Sequence, residues 1–150
     1  MALKFSPRRK AVSFSEMKGM VDLKVLREGQ LIKHVVSNTV TSTGRTWLAS
    51  ALANNTAPGI TSMAIASTFS GDVLTTSIFA VRAHDSRGSS SNTASFIATF
   101  PITGSWSVAA AGLVTGSHST SLPAFAIGSW TALPLVSGDT LIITWFVTFT

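Results

Sequence analysis

Thr140-Leu141-Ile142-Ile143-Thr144-Trp145-Phe146-Val147-Thr148-Phe149 decides the fold. It is built from β-branched and aromatic residues with no glycine or proline, the composition of a strand. Successive strand residues point to opposite faces, and here Leu141, Ile143, Trp145, Val147 and Phe149 occupy one face while Ile142 and Phe146 occupy the other. A strand with one face in water alternates with polar residues, so apolar side chains on both faces predict a central strand covered on both sides, or one packed against a neighbouring subunit.

Working back from this strand, the sequence breaks into short apolar runs separated by Gly, Ser, Asn or Pro. They predict strands near 60–66, 78–84, 93–101, 106–114 and 124–130. Ser86-Arg87-Gly88-Ser89-Ser90-Ser91-Asn92 reads as a flexible hairpin tip. Nearer the N-terminus, Val21, Leu23 and Val25 alternate with Asp22, Lys24 and Leu26, and the chain turns at Arg27-Glu28-Gly29-Gln30 into a strand over 31–36. Trp47, Leu48, Ala51 and Leu52 fall at helical spacing between Ser42 and Asn55, predicting one short helix. About eight strands at these spacings predict an all-β fold: an antiparallel β-sandwich or jelly roll with one short helix. Residues 1–18 are expected to form a basic extended arm ahead of a sandwich domain over 19–150.

Charge is distributed unevenly. Nine of the 11 Lys and Arg residues lie at or before Arg45, and charged residues make up 11% of the chain, against about a quarter in ordinary globular sequences. A monomer relies on surface charge for solubility and to prevent edge-to-edge strand pairing. Its scarcity predicts a homo-oligomer, with Trp145, Phe146 and Phe149 at subunit contacts. Phe5, Arg8, Arg9, Lys10, Phe14 and Lys18 are the expected docking residues of the arm. The arm is too sparsely charged for a nucleic-acid tail, and no aromatic stacking platform is interleaved with charge on the strands, so direct nucleic-acid binding is not expected. No apolar run is long enough for a membrane helix. The start, MALKFSPRRKAVSFSE, has no apolar segment behind its basic residues and does not read as a secretory signal. The absence of cysteine removes disulfides and thiolate metal sites.

Few residue patterns point to chemistry. Glu16, Asp22, Glu28, Asp72, Asp85 and Asp139 are isolated in sequence, and Asp72 and Asp139 read as turn formers that bond their own backbone. His34, His84 and His118 are not at metal-binding spacing. His84-Asp85 among many serines is a weak hydrolase pattern without the Gly-x-Ser-x-Gly nucleophile elbow. No enzyme, cofactor or metal is expected. Of the four tryptophans, Trp47 and Trp145 read as core, whereas Trp106 and Trp130 flank loops, where a carbohydrate-stacking surface is an alternative reading.

Several of these segments resemble small structural proteins of tailed bacteriophages. Asn38-Thr39-Val40-Thr41-Ser42-Thr43-Gly44-Arg45, leading into the helix, is similar to that group's N-x-V-T-x-x-G entry, and Ile60-Thr61-Ser62-Met63-Ala64-Ile65-Ala66 to the strand that follows it. Ala94-Ser95-Phe96-Ile97-Ala98-Thr99-Phe100 is similar to F-T-A-T-F, Gly104-Ser105-Trp106 and Ala111-Gly112-Leu113 to G-T-W-x-E-A-G-L-F, and Ser137-Gly138-Asp139-Thr140-Leu141 through Trp145 to S-x-D-T-L-T-V-T-W. Ala110 stands where that group has Glu. The resemblance covers about residues 38–150. It implies a virion component assembled in the host cytoplasm: a capsid decoration (cement) protein, expected as a trimer bound to the major capsid protein. The alternative is a tail, baseplate or fibre-attachment subunit bound to a tail protein.

Overall fold

The computed structural model describes residues 17–37, 60–71, 73–115 and 121–149. The expected helix, with Trp47, and the arm residues Phe5, Arg8, Arg9, Lys10 and Phe14 lie outside these residues.

The described residues form nine strands: β1 (Met17–Arg27), β2 (Gln30–Ser37), β3 (Ser62–Ser70), β4 (Val73–Ala83), β5 (Ser86–Ser90), β6 (Thr93–Pro101), β7 (Trp106–Val114), β8 (Ser121–Leu135) and β9 (Thr140–Phe149). They make two antiparallel sheets. The first runs β2-β1-β9-β6-β5, and the second joins β3, β4, β8 and β7 into a closed ring. β9 is therefore the central strand of its sheet, flanked by β1 and β6 along its length. At one end of β1, Met17 and Lys18 pair with Phe149 and Thr148, so Lys18 belongs to the sheet and the arm ends two residues earlier than its composition implied. At the other end the chain reverses where the sequence placed the turn. Glu28 and Gly29 both have positive φ, the two-residue geometry whose twist matches a β-hairpin.

The hairpin tip is confined to Ser91 and Asn92, which join the paired residues Ser90 and Thr93. Ser86–Ser90 is β5, an edge strand on β6, and every one of its side chains is exposed. Backbone pairing holds it to the sheet without an apolar face, so periodicity gave no sign of it.

Two cores share the interior. Val21, Leu23, Val25, Phe100, Leu141, Ile143 and Trp145 from the first sheet pack with Met63, Ile65, Leu113 and Leu133 from the second. A smaller cluster of Ala64, Ala66, Leu74, Ile78, Ala110, Val114, Ala124 and Ile127 belongs to the four strands of the ring. A ring of so few strands has a narrow interior, which accounts for the abundance of small residues in Ala64, Ala66, Ala110, Gly112 and Ala124. A Cβ on Gly112 would lie 2.9 Å from Leu74 Cδ1 and 3.1 Å from Ala124 Cβ. Leu74 can swing away but Ala124 cannot. Gly112→Ala is therefore expected to lose about 1 kcal/mol and Gly112→Val about 3 kcal/mol or more by overpacking, measured by urea unfolding.

Candidate functional site

A cleft of about 500 Å³ lies between β2, at the edge of the first sheet, and β8 of the ring. Val25, Ile32, Val35, Trp130, Leu133 and Leu135 supply its apolar surface, with Arg27 and Lys33 also among its lining residues. Both borders are irregular. On β2, Val25 pairs with Lys33 and Leu26 with Leu31, leaving Ile32 as an extra residue. On β8, Val108 pairs with Leu133 but Ala110 with Ser129, so the strand bulges across Trp130, Thr131 and Ala132. Such bulges re-aim side chains, and all four of the displaced residues line the cleft. The Trp130 indole N–H donates to the Val108 carbonyl oxygen at 3.0 Å, which anchors the ring.

One end of the cleft is held by an ion pair between residues far apart in sequence. Arg27 Nε donates to Asp139 Oδ1 at 2.8 Å and a terminal guanidinium nitrogen donates to Oδ2 at 2.9 Å, a bidentate pair. Asp139 Oδ2 also accepts from the Val136 N–H at 3.0 Å, and the Asp139 carbonyl accepts from the Ile102 N–H at 2.9 Å. Asp139 thus shapes its turn, as the sequence implied, and also ties the β1–β2 hairpin to the β8–β9 connection. Its carboxylate is buried while Arg27 is half exposed. The Arg27 hydrogen bonds, followed by the Val136 N–H, hold the Asp139 pKa down at about 2 against the opposing effect of burial.

The outer face of the first sheet is also apolar. Registry places Met20, Leu26, Phe146, Ile142 and Ile97 there beside Leu31 and Val36 of β2. Leu31 and Val36 are each 55% exposed and Met20 42%. Among the described side chains, charge on this face comes from Asp22, Lys24 and His34, and His34 Nε2 lies 2.7 Å from Asp22 Oδ1.

Of the residues expected at subunit contacts, Trp145 is fully buried in the chain's own core, so it serves internal packing. Phe146 points outward and is half buried. The side chain of Phe149 lies outside those described. Trp106 stacks on Phe79 with ring centroids 5.3 Å apart, whereas Trp130 lines the cleft. His84 tilts against Phe96 at 4.9 Å, and burial pushes its pKa down. Among the described residues no three His, Asp or Glu side chains converge as a metal site. The cleft is invisible in the sequence because its borders come from β2 and β8, at Gln30–Ser37 and Ser121–Leu135. The two bulges that shape it leave no signal in composition.

Comparison of the chain with protein-family models, curated proteins and solved structures returned no match.

Proposed function

We propose that this protein is a structural subunit of a phage virion, a capsid decoration protein that binds the outside of the assembled shell as a trimer. The observation that carries the reading is the outer face of the first sheet, where Met20, Leu31, Val36 and Phe146 present apolar surface on either side of a short charged row of Asp22, Lys24 and His34. Apolar surface of this kind is the mark of a protein made to be covered. The motif resemblance in residues 38–150 supports a virion as the setting. On this reading the two sheets form a sandwich of jelly-roll type, supported by the pairing of the first and last strands, β1 with β9.

The mechanism is mass action. A ligand that binds only the expanded lattice stabilises it by about 2.7 kcal/mol per site at one hundred times Kd. Linking three weak contacts in a trimer raises avidity by about 100-fold or more. Arg8, Arg9 and Lys10 supply charge-assisted bonds to acidic groups of the capsid protein.

Changing Arg8, Arg9 and Lys10 together to Ser is expected to weaken attachment equally to DNA-free and DNA-filled expanded shells, read by co-sedimentation. Retention of naked DNA at about 0.15 M salt with a steep log-log salt slope, and no binding to empty shells, would overturn the reading. Copy number per virion separates shell from tail, being hundreds for the first and at most tens for the second. A truncation that tests the arm must stop at residue 16, because Met17 and Lys18 pair with β9.

A further inference from the structure

The cleft between β2 and β8 has the features of a strand-acceptor site. Among the described residues β2 pairs only with β1, and Trp130–Leu135 of β8 run alongside β7 with no described strand on their other side. Both borders therefore leave a strand edge without a backbone partner among the described residues. An extended segment entering such a cleft gains main-chain hydrogen bonds along an edge, and its alternate side chains enter the pockets. At about 500 Å³ the gap has the size of a typical ligand site, about 300–1,000 Å³.

The lining specifies the occupant. Its surface is aliphatic and aromatic, so alternate residues of the guest must be apolar. Among the described lining residues there is no Asp or Glu, and Arg27 is already engaged by Asp139, which leaves Lys33 as the charge that calls for a carboxylate. Ala11-Val12-Ser13-Phe14-Ser15-Glu16 has this pattern, with Val12 and Phe14 alternating with serines and a carboxylate at the end. The arm's other apolar pair, Leu3 and Phe5, flanks Lys4 and carries no acid.

Distance decides whose arm it is. Glu16 is one residue from Met17, a reach of about 4 Å at full extension. Lys33 stands opposite Val25, eight residues along β1 from Met17 and about 27 Å away at the rise of a strand, more than the two side chains can span. A chain cannot place its own Glu16 beside its own Lys33.

We propose that the cleft between β2 and β8 accepts residues 11–16 of a neighbouring copy of this chain as an added strand, with Val12 and Phe14 against its apolar lining and Glu16 beside Lys33. Arg8, Arg9 and Lys10 then emerge beyond the cleft. The assignment goes beyond the virion reading and does not depend on it, since it concerns the purified protein with no shell present.

The test uses the full chain. In a mixture of isotopically light and heavy protein, a photo-cross-linking residue at position 32 in place of Ile32 is expected to join one chain to the 11–18 tryptic peptide of the other. Val12→Ser with Phe14→Ser is expected to dissociate the oligomer, read by native mass spectrometry. Lys33→Glu and Glu16→Lys are each expected to weaken association about fivefold, as for an exposed pair, and to restore it when combined. Cross-links within one chain, to residues 2–6 or 38–59, would overturn the proposal. So would an oligomeric mass unchanged by the Val12 and Phe14 substitutions, or a double charge reversal weaker than either single one. Failure of the wild-type oligomer to bind expanded shells, with the cross-link from position 32 to residues 11–18 in place, would instead count against the virion reading alone.

Discussion

Trp145→Ala is expected to destabilise the protein by about 3 to 5 kcal/mol, the range for deleting a large buried aromatic side chain. Trp145 sits midway along the central strand, is fully buried, and packs in the cluster shared by both sheets. For a domain of this size such a loss lowers Tm by roughly 10 °C or more. The milder exchange is the more informative one. The indole N–H of Trp145 is buried without a hydrogen-bond acceptor among the described residues, and an orphaned buried donor costs about 1 to 3 kcal/mol. Trp145→Phe removes that penalty while keeping most of the volume, so its loss is expected to stay below about 2 kcal/mol. Urea unfolding of both variants checks this. A Phe variant as unstable as the Ala variant would show that the indole N–H is satisfied.

Asp139→Ala carries the second large effect, about 2 to 4 kcal/mol, because it strips two charge-assisted bonds from Arg27 and leaves the Val136 N–H without its carboxylate. The half exposure of Arg27 keeps the figure below that of a fully buried pair. The same bonds set a pH dependence. The folded Asp139 pKa of about 2 lies below the ordinary value near 4, so the folded state binds its proton less readily than the unfolded chain does. The contribution is complete above about pH 5 and is lost as the pH falls toward 2. Asp139→Asn is expected to flatten that limb of the stability profile. His84 adds an earlier one. Its pKa is lowered by burial, so its contribution is present above about pH 6.5 and declines as acid charges the unfolded imidazole first. Thermal melts from pH 8 to pH 2 for the wild type, Asp139→Asn and His84→Gln would separate the two.

The strands with large apolar side chains were legible in the sequence. β9 announced itself by Trp145 and its neighbours, and Glu28-Gly29 marked the β1–β2 turn, because period and turn chemistry are local properties. β5 was not legible, since Ser86–Ser90 makes only backbone bonds and buries no side chain. Nor was the pairing of Arg27 with Asp139. Isolated in sequence, Asp139 fits a simple turn, and its second role depends on topology that brings the ends of β1 and β8 together. The cleft was hidden for the same reason: Ile32 and Trp130 become neighbours only once two hairpins have assembled from opposite parts of the chain.

The first and last described strands are partners, with Met17 opposite Phe149 and Leu26 opposite Thr140. During synthesis, then, the β1–β2 hairpin leaves the ribosome with Leu31, Ile32 and Val36 exposed and its central neighbour not yet made. Sheets that rely on pairings this distant in sequence close slowly, and their open edges invite wrong partners in the interval. Nascent chains halted before residue 140 should therefore be protease-sensitive and dependent on holding chaperones, and the native state should appear only after the C-terminal strand has cleared the exit tunnel.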